Sequence, residues 1–247
     1  MATLSRRDRV RAATVTEIKE TARRILVAEG PDGLSLRAIA REMGMTAPAL
    51  YRYFASREEL LVDLIADLYE ELTGAMVAAR DAQPAGDLGA RLTAVSRTFR
   101  SWSIGHQPEF GLLFGTPPPG PAAPGDAGHG QTRAHAAGVR FGQVFGELVA
   151  QVYLTRPFPV PAEEDLDPAL RRQLAHWGES FPVRLPLGVM QVFLSCWIRL
   201  YGSVTMEIFG HLKFAVDDAE PIFEAELADA ARLLGFDEPP PPTAAGR

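Results

Sequence analysis

The feature that most constrains this chain is a pair of short helical segments near its N-terminus, separated only by a tight turn. Ser35 is a residue type that caps helices, and the helical pattern that follows it ends at Gly44. Thr46 is the next candidate cap, and Pro48 then falls in the first turn of a helix over 47–53, where its missing N–H costs little. Glycine can adopt the positive φ that such a turn requires. The spacing therefore predicts a helix-turn-helix.

Capping signals also delimit the helices on either side of this pair. Thr14, followed three residues later by a glutamate, has the spacing of a capping box and predicts a helix over 15–29. Gly30, followed by a proline, ends that helix. Ser56 repeats the capping-box spacing and predicts a long helix over 57–79.

Beyond residue 60 the apolar residues recur with a helical period, and no alternating strand pattern appears. The predicted fold class is therefore all-α, with a three-helix helix-turn-helix head over 14–60 and a larger helical domain over 61–236. The helices expected in the larger domain cover 88–105, 131–154, 167–177, 186–211 and 219–235. The remaining segments are predicted to be a flexible basic arm (1–13), a flexible Pro/Gly-rich loop (115–130) and a disordered tail (237–247).

Charge is distributed unevenly between these two regions. The whole chain has a formal net charge of −6, which by itself argues against binding to nucleic acid. Residues 1–60 hold 11 Lys and Arg against 8 Asp and Glu, a net of +3, and the remainder holds 14 against 23, a net of −9. A basic head on an acidic body fits a protein that contacts DNA through its head alone.

The stretch from Leu34 to Leu61 resembles the DNA-binding domain of the TetR family, and the run Leu-Tyr-x-Tyr-Phe-x-Ser-Arg-Glu-x-Leu over 50–60 contributes most to the resemblance. The resemblance implies a bacterial transcriptional regulator that binds double-stranded DNA sequence-specifically. We expect a repressor that a small-molecule effector releases from a near-palindromic operator. The alternatives are an interaction protein that keeps the fold without operator binding, and an enzyme that uses the helical cavity.

The resemblance also assigns DNA contacts. It implies phosphate contacts for Ser35, Tyr51, Tyr53 and Arg57, a base or phosphate contact for Arg37, and a major-groove position for Thr46, Ala47, Pro48 and Ala49. Among these neighbours, Arg37 and Arg52 have the chemistry to read guanine, and the small apolar residues can contact thymine methyl groups. Outside this motif the two tyrosines would be interpreted as core aromatics. The arginines before residue 12 could enter the minor groove of DNA or lie along the DNA backbone. Alternatively, they could belong to a disordered tail with a general attraction for DNA.

A second resemblance lies near the C-terminus. Trp197-x-x-Leu-Tyr-Gly resembles the C-terminal domain of a TetR subgroup with a Trp-His-Gly signature, although Tyr201 stands where the subgroup has histidine. In that family the last two helices form a four-helix bundle across a two-fold axis. The resemblance therefore implies a homodimer formed through the last two long helices.

A helical domain of this size can enclose a ligand pocket between its helices. The candidate wall residues are Trp102, His106, Phe110, Phe145, Trp177, Met190, Phe193 and Trp197. The alternative for each of them is a place in the ordinary core. Gln191, Ser195 and Arg199 form a polar row on an apolar helix, which either faces solvent or orients a ligand.

Other chemistry is not indicated. The sequence has no Gly-rich phosphate loop, nucleophile elbow or paired zinc spacing, so no enzyme activity, cofactor or metal is predicted. Its one cysteine, Cys196, cannot form an intramolecular disulfide, and no apolar signal region follows the N-terminal arginines. The longest apolar stretch, 185–198, is too short and too interrupted for a membrane span. We therefore expect a cytoplasmic protein that does not enter membranes.

Overall fold

The computed structural model describes residues 5–115, 132–179 and 183–236, and within these ranges it contains ten α-helices and no strand. The predicted all-α fold is confirmed. The helices are α1 (Arg6–Gly33), α2 (Leu36–Glu42), α3 (Ala47–Leu50), α4 (Arg57–Asp81), α5 (Leu88–Gly105), α6 (Gln107–Phe110), α7 (Arg133–Thr155), α8 (Pro168–Gly178), α9 (Leu187–Ile208) and α10 (Glu220–Leu233). A π-turn over Gly111–Gly115 follows α6, and a 3-10 turn over Glu163–Asp165 precedes α8.

Helix α1 begins nine residues earlier than the sequence predicted. Ser5 caps it by accepting a hydrogen bond from the Asp8 amide at 3.1 Å, so most of the predicted flexible arm over 1–13 is helical. The capping box expected at Thr14 is wrong, because the Thr14 hydroxyl lies inside the helix and donates to the Val10 carbonyl at 3.0 Å. Gly30 interrupts the helix with a φ of +74°, as the predicted helix end required.

The described residues form two compact units, and the boundary between them is not the predicted domain boundary at residue 60. The first unit contains the described residues of Met1–Glu71 and His106–Arg140, and the second contains those of Leu72–Gly105 and Phe141–Arg247. Helices α4 and α7 each begin in the first unit and end in the second. The predicted flexible loop (115–130), apart from residue 115, and the predicted disordered tail (237–247) lie outside the described residues.

The core of the first unit is built on the apolar stripe of α1. Ile18, Ala22 and Leu26 have no exposed surface, and they recur at the four-residue spacing that places side chains on one helical face. Leu50 of α3 and Leu60 of α4 are also fully buried, so α3 and the first turn of α4 are anchored by apolar contacts.

The core of the second unit is aromatic. The Phe99 ring centroid lies 5.9 Å from that of Phe141, 6.5 Å from that of Phe145 and 5.7 Å from that of Trp197. Tyr201 stacks on Trp197 at 5.6 Å. These separations are those of favourable ring pairs, and they join α5, α7 and α9 in one cluster.

Helix α9 is longer than the apolar stretch read from the sequence. It continues past Arg199 to Ile208, and its length and hydropathy meet the criteria for a membrane span, which core helices of soluble proteins also meet. The apolar stretch over 185–198 therefore underestimated the length of this helix. In this structure α9 packs against α5, α8 and α10.

Candidate nucleic-acid interface

The turn between α2 and α3 has the geometry of a helix-turn-helix. The Ser35 hydroxyl accepts a hydrogen bond from the Ala38 amide at 3.1 Å, which confirms Ser35 as the cap of α2. Gly44 has a φ of +65°, and the amide of the next residue, Met45, donates to the Ala40 carbonyl at 2.8 Å. This is the Schellman arrangement that ends a helix when a glycine takes the left-handed conformation. The sharp turn therefore follows from one glycine.

Helix α3 presents small and polar side chains on its outer surface. Thr46 and Pro48 at its start are exposed, and Ala47 and Ala49 are half-buried. Thr46 occupies the cap position, but its hydroxyl makes no capping hydrogen bond. A helix start with a free hydroxyl and short side chains allows another surface to approach the backbone closely.

The residues just after α3 add an aromatic and a basic group to this surface. Tyr51 is 49% exposed, which contradicts the alternative that it is a core aromatic. Arg52 is also exposed, and so is Arg37 of α2. Neither guanidinium has an ion-pair partner among the residues that the structure describes.

Tyr53 is held by Arg11, a residue of the predicted flexible arm. The Arg11 guanidinium lies 5.1 Å from the centre of the Tyr53 ring and donates to the Arg52 carbonyl at 3.4 and 3.5 Å. A cation above an aromatic face is attracted to it. No signal in the sequence pairs these residues, because they are about forty positions apart.

Arg57, predicted to contact a phosphate, also makes hydrogen bonds within the protein. Its Nε donates to the Leu34 carbonyl and its Nη2 to the Pro31 carbonyl, both at 2.8 Å. The side chain therefore holds the connection between α1 and α2 to the start of α4. The adjacent Ser56 hydroxyl accepts from the Glu59 amide at 3.1 Å, which confirms the predicted cap of α4.

Behind this interface, the first unit is joined by ion pairs. Arg23 of α1 donates through Nε to Glu109 of α6 at 2.8 Å and through Nη1 to Glu71 of α4 at 2.6 Å. Partial burial acts to lower the pKa of Arg23, but hydrogen bonds and charge attraction from the two carboxylates together outweigh it, so the pKa is raised. Lys19 of α1 also pairs with Asp67 of α4. The position of α1 is thus fixed by charge as well as by apolar contacts.

The predicted pocket residues do not form one site. Phe145, Phe193 and Trp197 line a cavity of about 60 Å³ in the second unit. Trp177, Met190 and Phe193 line a second cavity of about 10 Å³ in the same unit. The other three lie elsewhere: Trp102 is buried on α5, whereas His106 and Phe110 belong to the first unit. The polar row of Gln191, Ser195 and Arg199 lines neither cavity.

Within the described ranges, no group of three or more His, Cys, Asp or Glu side chains is arranged to hold a metal ion.

Comparison with known proteins agrees with this geometry. Residues 18–64 match the model of the bacterial regulatory proteins of the tetR family, and residues 92–230 match the tetracyclin repressor-like C-terminal domain. The HTH-type transcriptional regulator Rv1816 of Mycobacterium tuberculosis is 33% identical over 226 residues, which cover 90% of this chain and 92% of the relative. The regulator Mb1846 of Mycobacterium bovis matches with the same values.

Solved structures show the same relationship. The crystal structure of the regulatory protein SCO4313 has a TM-score of 0.68 at 30% identity, covering 92% of this chain and 98% of that one. FadR of Bacillus subtilis, in complex with stearoyl-CoA, shares the fold with a TM-score of 0.56 at 12% identity, covering 89% of this chain and 95% of that one. The helix-turn-helix, its exposed third helix and these relatives together establish that the chain belongs to the TetR family of DNA-binding transcriptional regulators, which are not enzymes.

Proposed function

We propose that this protein is a cytoplasmic repressor that binds a near-palindromic operator as a homodimer and releases it when a small-molecule effector binds. The observation that supports this most directly is the outer surface of α3, where short side chains lie beside exposed Tyr51, Arg52 and Arg37. A recognition helix uses its first residues on base edges while neighbouring groups bind phosphates.

Each residue predicted to contact DNA has a proposed role in that complex. Thr46, Ala47, Pro48 and Ala49 face the major groove, and Arg37 and Arg52 read guanine, because an arginine can donate two hydrogen bonds to one guanine edge. The hydroxyls of Ser35, Tyr51 and Tyr53 contact phosphates. Arg57 uses Nε and Nη2 within the protein, and its Nη1 donors are assigned to a phosphate.

The homodimer is proposed to form through α9 and α10. Ile198 of α9 is 67% exposed, and Ile222 and Leu233 of α10 are about two-fifths exposed. Large apolar side chains exposed along two adjacent helices are typical of a surface that another protein covers. A two-fold dimer would read two half-sites about one helical turn of DNA, ~34 Å, apart or a multiple of that distance.

The dimer is proposed to exist in two states that differ in the spacing of its two helix-turn-helix heads. Effector binding is proposed to change the populations of these two states. The effector must bind one spacing more tightly than the other to change DNA affinity. Helix α4 has 25 residues, begins in the first unit and ends in the second. At 1.5 Å per residue it spans about 37 Å, so it is a continuous element that can link an effector site to the head.

The proposal is tested by selecting bound sequences from random duplex DNA with the purified protein at near-physiological salt. We expect enrichment of a near-palindrome. If protein shown to be folded and dimeric enriches no sequence, even after extensive dialysis to remove bound effector, the operator-binding proposal is wrong. The fold-retaining interaction protein is then the better interpretation.

Single substitutions separate readers of bases from phosphate contacts on the selected site. Tyr51→Ala should weaken binding to specific and random DNA alike and lower its salt dependence, whereas Arg52→Ala should cost about 1–3 kcal/mol on the selected site alone. Arg41→Ala is the matched control, since Arg41 is another exposed arginine of the same head. Equal losses from Arg52→Ala on both kinds of DNA would remove its role as a reader.

A further inference from the structure

The larger cavity of the second unit lies between four helices. Thr93 and Ser96 of α5, Phe145 of α7, Trp197 of α9 and Leu227 of α10 are among its lining residues, and its volume is about 60 Å³. A space of this size holds several water-sized spheres, so it exceeds the packing defects of an ordinary core. The cavity can therefore accept a small molecule.

Three of the polar side chains around the cavity are engaged with protein partners. The Ser203 hydroxyl donates to the Leu200 carbonyl at 2.9 Å, and the Cys196 thiol donates to the Ala230 carbonyl at 3.7 Å. The Glu226 carboxylate accepts from the Arg199 guanidinium at 2.7 Å. Apart from the hydroxyls of Thr93 and Ser96, the lining therefore leaves little for a strongly polar ligand to bind.

The charge of the lining excludes an acidic ligand. Among the described residues, no lysine, arginine or histidine lines the cavity, and its one ionisable carboxylate, Glu226, would repel an anion. A charged group moved into such a site without a partner is strongly disfavoured. This lining does not suit a carboxylate or a phosphate-bearing acyl group.

Aromatic rings form part of the wall. The centroids of Phe145 and Trp197 are 5.7 Å apart, and Phe193 and Phe223 also line the cavity. Tilted and edge-on ring contacts at 4.5–7 Å are favourable, so an aromatic guest can extend the cluster that already surrounds Trp197.

The cavity and the exposed apolar surface occupy opposite sides of the same two helices. Cys196 and Leu227 face the cavity, whereas Ile198 of α9 and Ile222 of α10 are exposed. A ligand in the cavity would contact the inner sides of α9 and α10. It would therefore change the spacing of these two helices, which are proposed to form the dimer interface.

We propose that this cavity is the effector site and that it binds a small, uncharged aromatic molecule, which acts by shifting α9 against α10. The proposal rests on the effector-released repressor described above. It differs from a pocket built on Trp102, His106 and Phe110, none of which lines this cavity.

The binding test uses the wild-type protein with toluene as the probe and benzoate as its charged counterpart. We expect toluene to give saturable shifts of the methyl NMR resonances of Leu92, Val149 and Leu227, while those of Ile39 and Leu60 in the first unit stay in place. Benzoate should bind at least about tenfold more weakly. Linear, unsaturable shifts, or equal binding of benzoate, would overturn the proposal.

A matched pair of variants locates the site. Ser96→Leu places a larger apolar side chain in the cavity wall, and Ser101→Leu makes the same change at an exposed position of the same helix. Toluene affinity should fall at least about tenfold for the first variant and stay unchanged for the second, since overfilling removes the space that the probe needs. If Ser96→Leu does not fold, the wild-type NMR titration alone decides.

The regulatory part is tested on the selected duplex. Saturating toluene should raise the Kd for that duplex at least about fivefold, within the usual range of coupling between two sites. Binding of toluene without any change in Kd would overturn the assignment as an effector site. Failure to select any duplex would instead count against the operator-binding proposal, and the NMR titration would remain valid.

Discussion

Each unit shields a titratable side chain from water, a buried glutamate in the first and a half-buried cysteine in the second, but the two are stabilised in different ways. In the first unit the Glu109 carboxylate is 3% exposed and pairs with the Arg23 guanidinium, so charge is matched by charge. In the second unit the Cys196 thiol lies against an apolar cavity, and burial raises its pKa to about 11, although Arg199 acts in the opposite direction. Glu109 is thus accommodated by a charged partner, whereas Cys196 is accommodated as an uncharged thiol in apolar surroundings.

The largest effect should come from removing apolar volume in the second unit. Phe99→Ala deletes the ring at the centre of the aromatic cluster and should lower the free energy of unfolding by about 4 kcal/mol. Urea titration followed by circular dichroism measures the loss. Leu154→Ala is the control, since Leu154 is 64% exposed and should change stability little. A loss below about 1.5 kcal/mol for Phe99→Ala would show that the cluster does not hold this unit together.

The next effect concerns the uncharged state of Cys196. Because its pKa is raised from 9.0 to about 11, the thiolate that reacts with iodoacetamide is scarce in the folded protein. At pH 8 alkylation should be about a hundredfold slower than in unfolded protein, and the rate should rise about tenfold per pH unit towards pH 11. Mass spectrometry of timed samples gives both rates. A rate that levels off near pH 9 in folded protein would contradict the shift.

A smaller loss is expected from the ion pair of the first unit. Arg23→Ala leaves the buried Glu109 carboxylate without its guanidinium partner. Because Arg23 is itself partly exposed, we expect a loss of about 2 kcal/mol, below the usual cost of breaking a fully buried pair. The same substitution in a Glu109→Gln background should cost less. Additivity within about 0.3 kcal/mol in this double-mutant cycle would mean that the two side chains are not coupled.

The smallest effect is expected where an ion pair of the same unit is exposed. The Arg140 side chain is 51% exposed and pairs with Glu70 at 3.1 Å. Arg140→Ala should change the free energy of unfolding by less than about 0.5 kcal/mol, because water screens such pairs. If Arg140→Ala lowered the free energy of unfolding as much as Arg23→Ala, exposure would not explain the difference expected between the two ion pairs of the first unit.

Local signals predicted most of the helices because they depend on neighbouring residues. The helix predicted over 88–105 has those bounds as α5, and the turn glycine Gly44 has the expected positive φ. The start of α1 was missed because Ser5 and Thr14 are both followed three residues later by an acidic residue. The local pattern is the same at both residues, so it does not say which of them begins the helix. In the structure the helix begins at Ser5 and runs through Thr14 without a break.

Contacts between distant segments could not be predicted in this way. Periodicity identifies the apolar face of a helix, but it does not say which helices meet at a cavity. Phe145 and Trp197 therefore line the larger cavity, whereas Phe110, chosen on the same grounds, does not. The interactions of Arg11 with Tyr53 and of Arg57 with the α1–α2 connection also depend on tertiary structure.

The early start of α1 has a consequence for how the head meets DNA. A flexible arm loses conformational freedom when it settles on a nucleic acid, at a cost of about 1–2 kcal/mol for each residue fixed. Arg6, Arg7 and Arg9 instead belong to a helix that is already formed in the protein without DNA. The chain entropy of these basic residues is lost during folding, so more of their attraction for phosphate remains available for association.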